Sequence, residues 1–180
     1  HRAINTGEYK PDRVKPSLSP SMDIQVSSNF ERLLFDILDG DDKKVASLMN
    51  DLNTKGFFKL DKETVKIIQK DFCAQKINDE ETLAIIKSLN IESKFILDPH
   101  TAVGIAAAKE RRKCVDSPIV CLATAHPGKF PEAVLEATGV SPDLPLHLSD
   151  LHSRKEHYSV LPNDLNTVKD HVETIIGSFS

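Results

Sequence analysis

The sequence predicts a helix-rich α/β fold with few parallel strands and an inserted helical cluster. Most of the chain carries apolar residues at helical spacing behind residues that cap helices. One continuous apolar run, Ile119 to Ala123, ends in His-Pro-Gly, as buried strands of parallel sheets do. With 180 residues, 39% of them apolar, the chain is long enough for one globular core.

The first helix is predicted within SSNFERLLFDIL. Ser28 and Glu31 have the spacing of a capping box. The apolar residues behind them form one stripe, so one face should be buried. The stripe consists of Phe30, Leu33, Leu34, Ile37 and Leu38.

Residues 40–92 are predicted to form a cluster of three helices. The first follows Asp41 or Asp42 and stops at Gly56, the second starts at Asp61, and the third is capped by Asn78 or Asp79. We therefore divide the chain into an amino-terminal segment with the first helix (1–39), this cluster (40–92) and an α/β portion (93–180).

The α/β portion begins with a helix capped by Asp98, with Pro99 in its first turn. A further helix should run from Pro131 to Gly139, and residues 141–157 are predicted to be a long surface loop. A short strand, HYSVL, then precedes a last helix capped near Asn163. Its inward-facing residues should be Leu165, Val168, Val172, Ile175 and Ile176.

Composition excludes several classes of protein. The net charge of -4 is spread along the chain, which argues against nucleic acid as a partner. No apolar stretch is long enough to cross a bilayer. The three cysteines have no CxxC spacing, which favours reduced thiols in a soluble cytoplasmic protein. The start, HRAINTGEYK, has neither an initiator methionine nor a signal core, so we expect it to lie inside a longer protein.

Three junctions could carry chemistry. The strand Ile119 to Ala123 should deliver Thr124 to a carboxyl end of the sheet, where ligands gather in α/β proteins. A turn threonine whose hydroxyl only bonds a nearby backbone group is the commoner case, and the residues alone favour it. The helix starts at Asp98–Thr101 and at Ser27–Asn29 expose amides that could bind an anion, although plain capping explains both.

Other reactive side chains give weak signals. His147, His152 and His157 recur every five residues, which fits neither a helical face nor a strand, so we interpret them as exposed loop residues. Cys121 should be buried in the strand, and Cys114 has no base nearby in sequence. The nearest pair of the seven glycines is eleven residues apart, so no glycine-rich phosphate loop is present.

Three stretches, in this order, resemble the carboxy-terminal portion of the threonine synthase family: SPSMDIQVSSNFERLLFDIL, LDPHTAVG and ATAHPGKFPEAVLEATG. The resemblance extends from about residue 17 to residue 139. It implies a fold-type II enzyme that uses pyridoxal 5'-phosphate to convert O-phospho-L-homoserine and water into L-threonine and phosphate. It also implies that residues 93–180 complete the cofactor-binding domain.

By this resemblance, Thr124 is similar to the family's hydrogen-bond donor to the pyridine nitrogen. The family's Schiff-base lysine lies in a Phe-Lys-Asp context and its phosphate loop reads Gly-Asn-Phe-Gly; neither occurs here. Both are expected upstream of His1, in a missing amino-terminal portion, so the isolated chain should be inactive. Lys129 follows a Pro-Gly turn and is not the counterpart of that lysine. Possible pocket-lining residues are Ser28, Asn29, His100 and Thr101.

The sequence is also compatible with two other interpretations. The chain could be a stand-alone, non-catalytic interaction or regulatory domain derived from the same fold. It could instead be a small metal-binding or hydrolytic enzyme that uses the histidines, which the spacing disfavours.

Overall fold

The computed structural model describes residues 1–113 and 116–178, which form eight α-helices and two short strands. The chain divides into two compact units, His1–Leu144 and Pro145–Ser180. In chain order the elements are α1 (Arg2–Thr6), β1 (Glu8–Tyr9), α2 (Ser28–Ile37), α3 (Asp42–Lys55), β2 (Phe58–Lys59), α4 (Lys62–Asp71), α5 (Asp79–Ser93), α6 (Pro99–Arg112), α7 (Pro131–Thr138) and α8 (Leu165–Gly177).

The amino-terminal segment contains structure that the sequence did not indicate. Strand β1 pairs antiparallel with β2, placing Tyr9 opposite Phe58. Gly7 joins α1 to β1 with a φ of 76°. A Cβ at this glycine would lie 2.8 Å from Val65 Cγ2 and 2.9 Å from the Leu60 carbonyl oxygen. The close approach of α4 therefore requires glycine here.

The first core lies between the two-stranded sheet and helices α2, α3 and α4. The rings of Phe30 and Phe58 each stack on Tyr9, with centroids 5.1 and 4.9 Å away. Burying such side chains supplies the main stabilisation of this part of the chain, about 1.5–3 kcal/mol for each fully buried one. The buried residues of this core are Leu34, Val45, Phe58, Leu60 and Ile68.

The second core joins α5, α6 and α7. It contains Ile86, Leu97, Ala102 and Ala137. The alanines allow the helix backbones to approach closely, so this core positions the start of α6 firmly. Because α5 packs here, it connects the predicted 40–92 cluster to the α/β portion. The division at residues 39 and 92 stays a prediction.

The predicted helix ends in unit His1–Leu144 are largely confirmed. Asp41 and Asp61 accept bonds from Lys44 and Thr64 backbone N–H groups, at 3.0 and 2.8 Å. Asn78 forms a capping box with Glu81. The helices α3 and α7 end at left-handed glycines, Gly56 and Gly139.

The capping box predicted at Ser28 and Glu31 is wrong. Helix α2 has Ser27 as its cap, with no side-chain capping bond, and Ser28 is the first helical residue. With Ser27 as the cap, the third helical position is Phe30, which has no side-chain acceptor for the reciprocal bond of a capping box. The Ser27 N–H donates to the Tyr9 hydroxyl at 2.7 Å. That bond joins the start of α2 to a residue 18 positions earlier in the chain.

The two predicted strands do not form in the described chain. Residues 118–124 and 157–161 lie in no strand, and Val120 and Leu122 are 84% and 77% exposed. A strand needs a neighbour to pair its backbone groups, and no described segment supplies one. Helix α8 begins at Asp164 as its cap, one residue past the prediction, but its five apolar residues are exposed rather than inward-facing.

Residues 141–157, predicted as a loop, contain only two short 3₁₀ turns, Leu146–Leu148 and Leu151–Ser153. Among the described residues, no helix combines the length and hydropathy that a bilayer crossing needs.

Candidate functional site

The start of α6 is built around a buried carboxylate, Asp98, which is 1% exposed. Its Oδ1 accepts hydrogen bonds from the His100 backbone N–H and from His100 Nδ1, at 2.9 and 3.0 Å. The Thr101 backbone N–H donates to Oδ2 at 3.3 Å, and the Thr101 hydroxyl donates to the same oxygen. Asp98 thus caps the helix and fixes two side chains of its first turn.

His100 connects this turn to the amino-terminal segment. It is 5% exposed, and its Nε2 accepts the Ser21 backbone N–H at 3.2 Å. A carboxylate can only accept and a backbone N–H can only donate, so the neutral tautomer protonated on Nδ1 satisfies both contacts. The ring also packs on Phe130, with centroids 4.6 Å apart.

Thr101 connects the same turn to Thr124. Its Oγ1, while donating to Asp98, accepts the Thr124 backbone N–H at 3.1 Å. A hydroxyl has one donor and two acceptor positions, so both bonds are compatible. Since Thr101 is 4% exposed and held on a packed helix, it provides a rigid anchor for the Thr124 backbone.

The Thr124 side chain itself is exposed. Its hydroxyl forms no hydrogen bond with any residue in the ranges 1–113 and 116–178, whereas its backbone N–H is held by Thr101. The commoner arrangement, in which the hydroxyl satisfies its own turn, is therefore not the one observed. A fixed backbone with an exposed hydroxyl suits hydrogen bonding to a ligand.

Three segments of the chain lie close together here: residues 17–21, the start of α6 and residues 124–130. Residues Ser17, Leu18 and Pro20 share a surface cavity with Phe130 and Lys129. Lys129 is exposed, with Nζ 5.7 Å from the Phe130 ring centroid. Its ammonium is solvated rather than desolvated, which does not favour a nucleophilic amine. The three sequence stretches that carry the family resemblance thus meet around His100 and Thr101.

This sequence matches known proteins over most of its length. The family model described as threonine synthase, C-terminal, matches residues 101–172, a range that includes both Thr101 and Thr124. Threonine synthase of Pseudomonas aeruginosa is 45% identical over 170 residues, which are 94% of this chain and 36% of that protein.

Two solved structures match in fold as well as in sequence. The PLP-bound threonine synthase from Brucella melitensis superposes with a TM-score of 0.83 at 42% identity, covering 96% of this chain and 37% of that one. The yeast enzyme gives a TM-score of 0.82 at 33% identity, covering 98% of this chain and 40% of its own. The chain matches the carboxy-terminal portion of threonine synthase. It spans a little over a third of the length of these relatives.

This match confirms the predicted fold class, the helix-rich carboxy-terminal part of the fold-type II threonine synthase architecture. The parallel strands expected within it are not formed by the residues described here. In the described chain the sheet is a single antiparallel pair, β1 with β2.

The other pocket-lining residues predicted from the threonine synthase resemblance lie on α2. Ser28 and Asn29 are exposed, and Asn29 Oδ1 accepts a hydrogen bond from Arg32. Ser28 lines a shallow depression beside Phe35. No hydrogen bond among the described residues joins them to the Asp98 group, and the pocket-lining role of Ser28, Asn29, His100 and Thr101 stays a prediction.

The weaker candidates lie apart from this site. His147, His152 and His157 are exposed, and the described residues contain no group of three potential metal ligands. Cys121, predicted to be buried, is exposed because its strand has no partner. Cys114 lies outside the described residues.

Sequence reasoning missed how the site is connected. The contact between Thr101 and Thr124 joins residues 23 apart, and that between Ser21 and His100 joins residues 79 apart. No local pattern marks such contacts. The only available signal was the Asp-x-x-Thr spacing of Asp98 and Thr101, which predicts the cap but not its connection to Thr124.

Proposed function

We propose that this chain is the carboxy-terminal portion of a threonine synthase that converts O-phospho-L-homoserine and water into L-threonine and phosphate with pyridoxal 5'-phosphate. The observation that carries the proposal is Thr124, whose side chain is exposed while its backbone is bonded to the buried Thr101. The likeness to a PLP-bound threonine synthase at 42% identity supports it.

The residues present fit one side of the cofactor. A pyridine nitrogen is a hydrogen-bond acceptor, and the Thr124 hydroxyl can donate to it. When bound, pyridoxal 5'-phosphate withdraws electrons from the substrate's α-carbon and so stabilises the carbanions of this reaction class. Thr124 would orient the ring from its nitrogen edge.

A hydroxyl at this position has a specific electronic consequence. An alcohol donates a hydrogen bond but leaves the ring nitrogen largely unprotonated, whereas an aspartate would hold a proton on it. The ring would then withdraw electrons less strongly. This suits a reaction in which successive carbanions lead to loss of phosphate at the γ-carbon and addition of water at the β-carbon.

The remaining cofactor contacts are assigned to the amino-terminal portion of the enzyme. That portion would supply the cofactor-binding lysine and the phosphate loop, since neither motif occurs in this sequence. The exposed Lys129 does not replace the lysine. A cytoplasmic location belongs to the same proposal, and the cysteine usage supports it.

The full-length protein tests the proposal directly. We expect it to release phosphate from O-phospho-L-homoserine only when pyridoxal phosphate is added. Thr124→Val should weaken cofactor binding about three- to tenfold, the cost of one neutral hydrogen bond, and should lower turnover. Val keeps the shape of Thr, so circular dichroism should be unchanged.

Two results would contradict this proposal. Absence of phosphate release by the cofactor-saturated full-length protein would favour the non-catalytic domain instead. Unchanged cofactor affinity and turnover in Thr124→Val would remove Thr124 from the site.

A further inference from the structure

The segment that carries Thr124 has little holding it in place. Between Pro118 and Ala125, the Thr124 N–H bond to Thr101 is the only hydrogen bond formed with the described residues. Most of these side chains are exposed, and the segment belongs to no helix or strand. The position of the Thr124 hydroxyl therefore depends strongly on one contact.

The other end of that contact is rigid. Thr101 Oγ1 donates to Asp98, which also holds His100, and the following residue, Ala102, is fully buried in the second core. The hydroxyl cannot rotate away without leaving the buried carboxylate with one donor fewer. Its acceptor lone pairs thus stay directed toward Thr124.

Three of the described helices, α4, α6 and α8, begin with an Asp-x-x-Thr cap, and among the described residues only the α6 threonine bonds a distant backbone N–H. In all three caps the threonine N–H and the threonine hydroxyl donate to the aspartate carboxylate. The other two pairs are Asp61 with Thr64 and Asp164 with Thr167. Neither Thr64 nor Thr167 accepts a further bond from another described residue. The bond that Thr101 accepts from the Thr124 N–H is therefore not a general consequence of this type of cap.

We propose that Thr101 is a positioning residue that sets the cofactor-facing hydroxyl of Thr124 through the Thr124 backbone N–H. This inference rests on the proposed role of Thr124 at the pyridine nitrogen. Thr101 is 4% exposed and its hydroxyl bonds both Asp98 and the Thr124 N–H, so in this role it acts without a cofactor contact of its own. Its effect on cofactor binding passes through Thr124.

A double-mutant cycle on the full-length protein tests this, with pyridoxal phosphate titrated into the cofactor-free protein. Thr101→Val keeps the side-chain volume and removes both bonds, and should weaken cofactor binding about three- to tenfold. Thr101→Ser keeps the hydroxyl and should restore binding to within about twofold. Thr101→Val combined with Thr124→Val should bind no more weakly than Thr124→Val alone, since both changes remove one interaction.

Thr64→Val is the matched control, because it removes the hydroxyl of a similarly buried threonine, 6% exposed against 4% for Thr101, from the Asp-x-x-Thr cap on α4. It should leave cofactor affinity unchanged. A second readout is the absorbance of the bound cofactor, which should shift alike in Thr101→Val and Thr124→Val and not in Thr64→Val. If Thr101→Val does not fold, Thr101→Cys, a weaker donor and acceptor of similar size, takes its place.

The outcomes separate the two proposals. If Thr124→Val weakens cofactor binding and Thr101→Val does not, or if the two losses simply add, the positioning role is wrong and the proposed function stands. If Thr124→Val has no effect, the proposed role of Thr124 fails first, and the inference about Thr101 falls with it.

Discussion

Asp98 is a buried carboxylate that forms no ion pair with a lysine or arginine among residues 1–113 and 116–178. Its hydrogen bonds come from two backbone N–H groups, a hydroxyl and an imidazole, all neutral donors. Such a group is tolerated in a protein interior only while these bonds are complete. Because the four donors are divided between the two oxygens, with the Thr101 N–H shared by both, both oxygens are needed as acceptors.

Replacing one carboxylate oxygen with an amide should therefore be costly. In Asp98→Asn, an NH₂ group must face either the His100 pair or the Thr101 pair of donors. We expect the free energy of local opening at the start of α6 to fall by about 1–3 kcal/mol, the cost of a buried unsatisfied polar group. Hydrogen-exchange mass spectrometry of peptides covering α6 in the full-length protein would measure the change.

Asp61→Asn is the control for this prediction. Asp61 occupies the same cap position on α4, but its side chain is exposed to solvent. Asparagine is as good a cap as aspartate, so exchange in α4 should change by no more than a few tenths of a kcal/mol. Equal effects at the two caps would show that burial of Asp98 is not what makes it sensitive.

At the scale of elements, local signals predicted the helices and missed what joins them. Asp61, Asn78 and Asp98 were predictable as caps because a cap depends on residues within one turn. The start of α2 was predicted one residue too late. Its cap is Ser27, whose N–H bonds the Tyr9 hydroxyl, a contact that no local pattern indicates. The part of the site that sequence reasoning found was Thr124, through motif resemblance; its anchor on Thr101 depends on folding.

The aspartate caps make helix stability depend on pH. Hydrogen bonds from the Thr64 backbone N–H and then the Thr64 hydroxyl lower the pKa of the Asp61 carboxyl below its usual value. A lowered folded-state pKa means that the cap's contribution is complete above the pKa of the unfolded chain and is lost as pH falls through the folded one. Protection factors of α4 amides should therefore stay constant down to about pH 5 and decrease as the pH falls below about 3.9, the usual pKa of an aspartate.

The Asp61→Asn variant isolates this effect from general acid unfolding. Its amide cap does not titrate, so the decrease in α4 protection should be smaller than in the unsubstituted protein. A decrease of the same size in both would assign the pH dependence to other carboxylates.

At the scale of the whole molecule, the failed strand predictions have a common physical cause. The run Ile119 to Ala123 has the composition of a buried parallel strand. A strand forms only when a neighbouring strand pairs with its backbone, and the sequence pattern does not identify that neighbour. The same holds for the apolar residues of α8, which are exposed within this chain. The helical caps needed no such partner and were predictable.

Exposed apolar surface of this extent should make the 180 residues self-associate when expressed on their own. Val120 and Leu122 are among the most exposed apolar side chains of unit His1–Leu144. We expect sedimentation velocity to show concentration-dependent association, and Val120→Lys with Leu122→Lys to reduce it without loss of helix content. Gln75→Lys with Ser149→Lys adds the same charge at exposed polar positions and should reduce association less. If both pairs reduce it equally, net charge rather than the unpaired Ile119 to Ala123 run controls the association.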